Sequence, residues 1–268
     1  MREKIKERIP VPLADLYRST RDTLSLAFEY PDARLHPWRI DSIRKLDMLR
    51  DSHKGERCII IGNGPSLKHT DLQKLRGTFS IGMNRFYMAF NDLGFTTSIL
   101  LTVNNLVIEQ CADDLRNLPI PTFVSWRGRQ YIQPAPNLHY LYTSYIKPCF
   151  SADATGRLWE GATVTYVAMQ LAYFLGFKQV ILIGVDHNFT STGRPNTTVV
   201  STGDDPNHFH PGYFGKGFRW QLPDLETSEI AYRMAKDAYE KDGREILDAT
   251  IGGKLTVFEK VNYDSIWQ

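Results

Sequence analysis

The string Gly62-Asn63-Gly64-Pro65-Ser66-Leu67 brings two glycines, an amide and a hydroxyl into six consecutive residues. Glycines let a backbone come close to a ligand phosphate, and the amides that open a following helix hold an anion at the favourable end of the dipole. The third glycine of GxGxxG is Leu67 here and no GK[ST] follows, so this is neither the dinucleotide fingerprint nor a Walker loop. Two readings follow. Either nucleotide phosphates or ribose lie against Gly62 to Ser66, with Gly64 bare because the ligand needs the space, or the turn only reverses the chain.

Three further clusters join it. Asn84 and Asn104 each follow a β-branched or apolar run, where amide side chains can read a base or ribose without adding charge, although Asn also ends strands for backbone reasons. Gly184-Val185-Asp186-His187 closes another apolar run and offers a carboxylate and an imidazole for ribose binding or catalysis; otherwise Asp186 caps a loop. The segment Asn207-His208-Phe209-His210-Pro211-Gly212-Tyr213-Phe214-Gly215-Lys216-Gly217 carries a close pair of histidines with a tyrosine and a lysine. His210 or His208 can serve as a general base, and Tyr213 and Lys216 as donors to a leaving phosphate. A metal held by the His-x-His pair with Asp186, Asp204 or Asp205 is weighed against this, but the spacing lacks the pattern of HExxH or paired CxxC, and no metal site is expected.

These residues need a frame that points them at one crevice. Short apolar runs alternate with helical periods from residue 57 onward, which predicts a wound α/β sheet. Strands are expected over 58–61, 79–82, 98–103, 122–125, 180–183 and 245–247, and helices after Ser66, after Asn105, over 163–175 and over 225–241. Ile59-Ile60-Ile61 and Val180-Ile181-Leu182-Ile183 suit central strands covered on both faces. The 37 residues from His187 to Pro223 hold five glycines, four prolines and many aromatics without a period, so an ordered lid or substrate loop is expected there.

Residues 1–54 are charged and cut by Pro10, Pro12, Pro31 and Pro37. Leu13, Leu16, Tyr17, Leu24 and Phe28, then Ile40, Ile43 and Leu46, predict two amphipathic helices that pack on the main domain. The competing reading makes the first a peripheral membrane contact, since Arg18 and Arg21 flank its apolar stripe.

The chain has 268 residues, 42% of them hydrophobic, and a formal charge of +2, which excludes a disordered chain and disfavours nucleic acid as a partner. Three cysteines without a CxxC pair argue against a disulfide framework and for a reducing, cytoplasmic setting, peripheral at most to the inner face of the membrane. No stretch approaches the apolar length of a membrane span, and no leader is read in residues 1–8.

Cys58 through Lys68, then Asp71 and Asn84-Arg85-Phe86-Tyr87, resemble the start of the small bacterial sialyltransferases of glycosyltransferase family 42, which open with a strand, a GNGPSLK turn and an Asn-x-Phe-Tyr. Gly161 through Leu175-Gly176-Phe177-Lys178 to Gly184-Val185-Asp186 is similar to that family's second block, and Asn207-His208-Phe209 to its Ser-His-Tyr. The glycine-proline turn and Gly-x-Asp strand end also resemble the wider 6-hydroxymethylpterin diphosphokinase MptE-like group. The resemblance implies a Rossmann-like fold and a glycosyltransferase. Gly62, Asn63, Gly64, Pro65, Ser66, Asn84, Asn104, Gly161, Asp186 and His187 would hold the nucleotide, and a loop histidine would deprotonate the acceptor. The family's phosphate-contacting tyrosine is Asn188 here, which leaves Tyr213 for that role, and its catalytic histidine falls on Gly212, which leaves His210.

The expectation is therefore a single wound, mostly parallel Rossmann-like α/β domain over 55–268, with its long loop at 187–223, behind an N-terminal helical extension over 1–54. It would move a sugar from a nucleotide-sugar donor, a CMP-sugar, to a carbohydrate or glycolipid hydroxyl with no cofactor. The alternatives are diphosphate transfer from ATP to a pterin-like alcohol, the one reading that requires Mg²⁺, and a nucleotide-binding module without turnover.

Overall fold

The computed structural model describes residues 11–191 and 193–267, with side chains from residue 20 onward. The chain opens with α1 (Val11–Leu35) and α2 (Pro37–Asp47), then enters β1 (Arg57–Ile61), β2 (Ser80–Met83), the short α3 (Phe90–Leu93) and β3 (Ile99–Thr102). Next come α4 (Asn105–Gln110), α5 (Ala112–Arg116), β4 (Thr122–Ser125), β5 (Leu138–Ser144), β6 (Arg157–Trp159), α6 (Val164–Phe174) and β7 (Gln179–Ile183). The last third holds the hairpin β8 (Thr198–Val200) and β9 (Arg219–Gln221), α7 (Leu225–Lys241), β10 (Glu245–Asp248) and β11 (Glu259–Lys260).

Among the described residues nine strands form one sheet in the order β11-β10-β7-β1-β2-β3-β4-β5-β6, every neighbouring pair parallel. This is the expected wound α/β architecture. The run of isoleucines explains why β1 lies in the middle. Cys58 and Ile60 enter the core beneath α6 and α7, while Ile59 and Ile61 enter the core on the opposite face. Val180 and Leu182 against Ile181 and Ile183 divide in the same way on β7. Strands without a polar face can only sit where both faces are covered.

All six expected strands are present with shifted ends, whereas β5, β6, β11 and the hairpin were not expected. Leu138-His139-Tyr140-Leu141-Tyr142-Thr143-Ser144 looks half polar, yet the whole of β5 is buried. Its cover is α2: Ser42 Oγ accepts from the Tyr140 amide at 2.9 Å, and Trp38 stacks on the Tyr140 ring with 6.0 Å between centroids. Leu46 is fully buried in the core, and the buried Arg39 donates to the Thr155 carbonyl at 2.7 Å.

Three local expectations need correction. The helix after Ser66 is only a five-residue 3-10 segment, Pro65–His69, because Thr70 turns extended at its end. Pro31 does not divide the first helix: α1 runs through it for 25 residues and the break comes at His36, whose ring accepts from the Trp38 amide and so starts α2, with Pro37 in the first turn. Nor does all of α1 pack inward. Ala33 is buried, and Asp32 accepts from Trp126 Nε1 at 2.9 Å, but Leu24 and Phe28 are 54% and 81% exposed. Residues 1–10, and the side chains of Leu13, Leu16, Tyr17 and Arg18, lie outside the described residues; Arg21 pairs with its neighbour Asp22. No helix among the described residues is long and apolar enough to cross a membrane.

Candidate functional site

From β1 the chain steps outward through β2 to β6, then returns to lay β7 on the other side of β1. That reversal is the topological switch point, and the crevice beyond the carboxyl ends of β1 and β7 is where open α/β sheets bind ligands. Gly62 to Ser66 and Gly184 to His187 are the two segments that meet there.

They meet more tightly than a ligand cradle requires. The amides of Gly62 and Gly64 donate to the carbonyls of Ile183 and Gly184 at 2.7 and 2.9 Å. Ser66 donates to Asp186 through both its amide, at 3.0 Å, and its hydroxyl, at 2.6 Å. The anion held by this turn is therefore the carboxylate of Asp186, and most of the turn's amides are already engaged. A Cβ on Gly64 would sit 1.8 Å from Asp186 Oδ2, and one on Gly62 would sit 2.1 Å from the Gly184 carbonyl oxygen. Both glycines are required by the joining of two protein segments. The expectation that Gly64 is bare to leave room for ligand is corrected.

A cavity of about 170 Å³ opens beside this junction, walled by Gly62 to Gly64, Asn84, Thr163 to Thr165, Asp186, His187 and His208. Three of its residues are non-glycines in the left-handed region: Asn84 at φ 49°, Ala162 at φ 58° and His187 at φ 52°. For alanine this costs roughly 1–2 kcal/mol, and such strain collects at functional sites. Ala162 and Thr163 also bring the N-terminus of α6 to the cavity, with Thr163 Oγ1 accepting from the Thr165 amide as its cap. Asn63 Nδ2 donates to the Met83 carbonyl at 3.0 Å, while its Oδ1 is buried with no partner.

A larger cavity of about 570 Å³ adjoins the first and shares Asn84, Ala162 to Val164, Phe189, His208 and Pro223 with it. His208 therefore stands where the two meet. Its Nδ1 lies 2.7 Å from Asp205 Oδ2, and its ring stacks on Tyr213 at 4.1 Å between centroids. Asp205 is itself held by the amides of Asn207 and Phe214, at 2.8 and 3.2 Å. A histidine fixed at Nδ1 by a buried carboxylate presents Nε2 for proton transfer, the arrangement of an oriented general base.

Other expected residues are placed differently. His210 lines neither cavity, and its Nδ1 accepts from the Gly212 amide at 3.0 Å. Tyr213 is fully buried beneath His208, its phenol accepting from the Arg85 amide; burial pushes its pKa up, against the influence of Arg85 and Asn84. Lys216 is exposed and lines neither cavity. Of the residues expected in catalysis, His208 is thus the one that lines the cavities, while His210, Tyr213 and Lys216 lie beneath or beside the loop that carries it. Asn104 caps α4, accepting from the Leu106 amide at 2.9 Å, and borders the larger cavity. Gly161 lines neither cavity but, at φ 54° and hard against Ala231, lets the chain turn into α6. His187 Nε2 is 3.1 Å from Glu229.

The sequence reading missed Tyr145, Trp159, Glu160 and the α6 N-terminus. Glu160 is buried and ion-paired with Arg127, and burial raises its pKa against the opposing pull of Arg127, Thr143 and Tyr145. Its signal was available as a carboxylate between Trp159 and Gly161 just ahead of a helix. The loop expected over 187–223 carries the β8–β9 hairpin, in which the Gln110 side chain bonds both the amide and the carbonyl of Arg219, at 2.8 Å each.

The 6-hydroxymethylpterin diphosphokinase MptE-like family model matches residues 39–192, more than half of the chain. The chain belongs to this family. The match begins within α2 and ends just past His187, so it takes in both segments of the glycine junction. The MptE-like chain is also similar to a solved structure of the MAf glycosyltransferase from Magnetospirillum magneticum AMB-1, with a TM-score of 0.50 and 13% identity over 85% of this chain and 39% of that one. At that identity the likeness is one of fold, and the MptE-like chain spans about two-fifths of the glycosyltransferase's length. A search of curated proteins finds no match. Both likenesses fall among transferases.

Proposed function

We propose that the chain transfers a glycosyl group from a nucleotide-sugar donor, its phosphate seated at the smaller cavity beside the glycine junction, to a hydroxyl held in the larger one. The observation that carries this reading is the His208–Asp205 pair where the two cavities join. His208 Nε2 takes the acceptor proton as the acceptor oxygen attacks the anomeric carbon. The bond from that carbon to the nucleotide phosphate breaks, its electron pair passing to the phosphate oxygen. The N-terminus of α6 offers a favourable dipole for that phosphate, and Asn63 Oδ1 awaits a donor from the ligand. A CMP-sugar is the donor favoured by the sialyltransferase-like motifs.

The buried Glu160 in an aromatic cavity keeps a second reading in play, diphosphate transfer from ATP to a pterin-like alcohol, since a carboxylate suits the donor edge of a pterin. That chemistry calls for Mg²⁺ on carboxylates and phosphates. Asp186 is engaged by Ser66 and Asp205 by His208, Asp204 is exposed, and among the described residues no three potential ligands gather. Among the described residues no protein cage for a metal is built, so Mg²⁺ for diphosphate transfer would be held chiefly by the nucleotide's own phosphates. The thiols of Cys58, Cys111 and Cys149 are unpaired, in keeping with a cytoplasmic setting.

The test is a thermal-shift panel of CMP, CDP, UDP, GDP, ADP and ATP with and without Mg²⁺, followed by transfer assays from the sugar form of whichever nucleotide binds. Stabilisation by a cytidine nucleotide in EDTA, with glycoside formed from its sugar, is expected. Stabilisation by ATP alone and only with Mg²⁺ would overturn the reading in favour of diphosphate transfer.

A further inference from the structure

We infer that the larger cavity is an acceptor subsite for neutral or amino carbohydrates and that it rejects anionic ones; the inference rests on the glycosyl-transfer reading above. At about 570 Å³ the cavity falls within the ~300–1,000 Å³ typical of sites that enclose a small ligand. Its wall offers aromatic surface from Trp159, Trp220 and Tyr145, together with the carboxylates of Glu160 and Asp224 and the amide of Gln221. Apolar ring surface beside a few fixed acceptors matches a sugar, whose C–H faces stack while its hydroxyls donate.

The charge pattern supplies the discrimination. Among the described residues no lysine or arginine lines this cavity. The nearby guanidinium of Arg127 is ion-paired with Glu160, donates to the Thr143 carbonyl at 3.2 Å and lies 3.9 Å from the Tyr145 ring centroid, with its Nε buried and without a partner. Glu160 is fixed further by the Thr143 hydroxyl at 2.6 Å, and Asp224 by Thr227 at 3.0 Å through both amide and hydroxyl. Neither carboxylate can swing away from an incoming anion. Glu160 is already balanced by Arg127, so the charge that an incoming anion meets is that of Asp224: a uronate or sialyl carboxylate finds no free basic side chain beside it, whereas hydroxyls gain charge-assisted hydrogen bonds and an ammonium gains attraction. Selectivity therefore comes from repulsion as much as from fit.

The experiment is saturation-transfer NMR on the full chain saturated with CMP, using methyl β-lactoside, chitobiose, methyl glucosaminide, methyl glucuronide, 3′-sialyllactose and 6-hydroxymethylpterin as probes. Contact is expected for the first three, with no signal from the two anionic glycosides. Trp220 is half-buried on the β9 arm, and Trp220→Ala should weaken the neutral probes about tenfold. Glu160→Gln should let the glucuronide bind. Should Glu160→Gln fail to fold, Asp224→Asn makes the same charge test at the mouth of α7. Equal binding of anionic and neutral glycosides overturns the inference, as does neutral binding untouched by Trp220→Ala. CMP binding with no glycoside contact ends it while leaving the donor reading intact. Glycoside contact without any nucleotide binding does the reverse, and contact from the pterin alone removes both.

Discussion

Asp205 and His208 lie three residues apart, so one loop conformation builds the pair, and Tyr213 beneath the ring fixes its plane. Removing the base should lower single-turnover transfer by roughly 10²- to 10⁴-fold with donor binding retained. His208→Asn and Asp205→Asn are expected in that range and His210→Ala near the wild-type rate; equal losses at 208 and 210 would contradict the assignment. The glycine junction makes a separate prediction. Gly64→Ala forces Asp186 aside and should cost about 1–3 kcal/mol in denaturant unfolding. Asp186→Ala in that background should return part of the loss, a coupling that a double-mutant cycle measures. Gly64→Ala with an unchanged midpoint but abolished nucleotide binding would restore the idea that a ligand needs that space. At this scale the sequence showed which residues matter better than why. Asn84, Asp186 and the glycines were legible because polar or glycine residues directly after apolar strand runs fall at the carboxyl ends of a wound sheet. The choice of His208 over His210 was not, because it depends on which ring a buried aspartate faces.

Elements were legible where burial is uniform. β1 and β7 announce themselves through unbroken apolar runs rich in isoleucine and valine, and α7 through its period. β5 was hidden because its cover, α2, lies about a hundred residues away in sequence, so its tyrosines, histidine and threonine resemble a loop. The same burial makes β5 sensitive to pH. His139 is 9% exposed, Nδ1 without a partner, and its pKa is lowered from 6.5 to about 4 by burial and by Lys45, against the pull of Asp41. Between pH 4 and 6.5 the unfolded chain binds the proton that the folded chain refuses. The contribution of neutral His139 is therefore complete above about pH 6.5 and lost as pH falls toward 4, on the order of 3 kcal/mol in all. His139→Leu should flatten the stability profile across that interval, as followed by urea unfolding at several pH values. A profile as steep as the wild type's would assign the effect to other groups.

At the scale of the molecule, the loop over 187–223 joins both cavities to the sheet, since Phe209 donates its amide to the Asn63 carbonyl at 2.8 Å and Arg219 pairs with Glu109 of α4. Saturating nucleotide should slow hydrogen exchange from His187 to Pro223 more than in α2 or β5. Protection that is the same with and without nucleotide would separate the loop from donor binding.

The placement of β7 against β1 sets an order of events during synthesis. β1 pairs with a strand that begins 122 residues later, and the bonds from the Gly62, Gly64 and Ser66 amides to Ile183, Gly184 and Asp186 wait for it. At the ~5–20 residues per second of translation, a nascent chain spends roughly 6–25 s with one edge of its most apolar strand unpaired. Parallel pairings of such long range also close slowly once the chain is free. The feature that gathers the site at the centre of the sheet thus leaves that same centre as the segment most in need of a chaperone's protection while the ribosome is still at work.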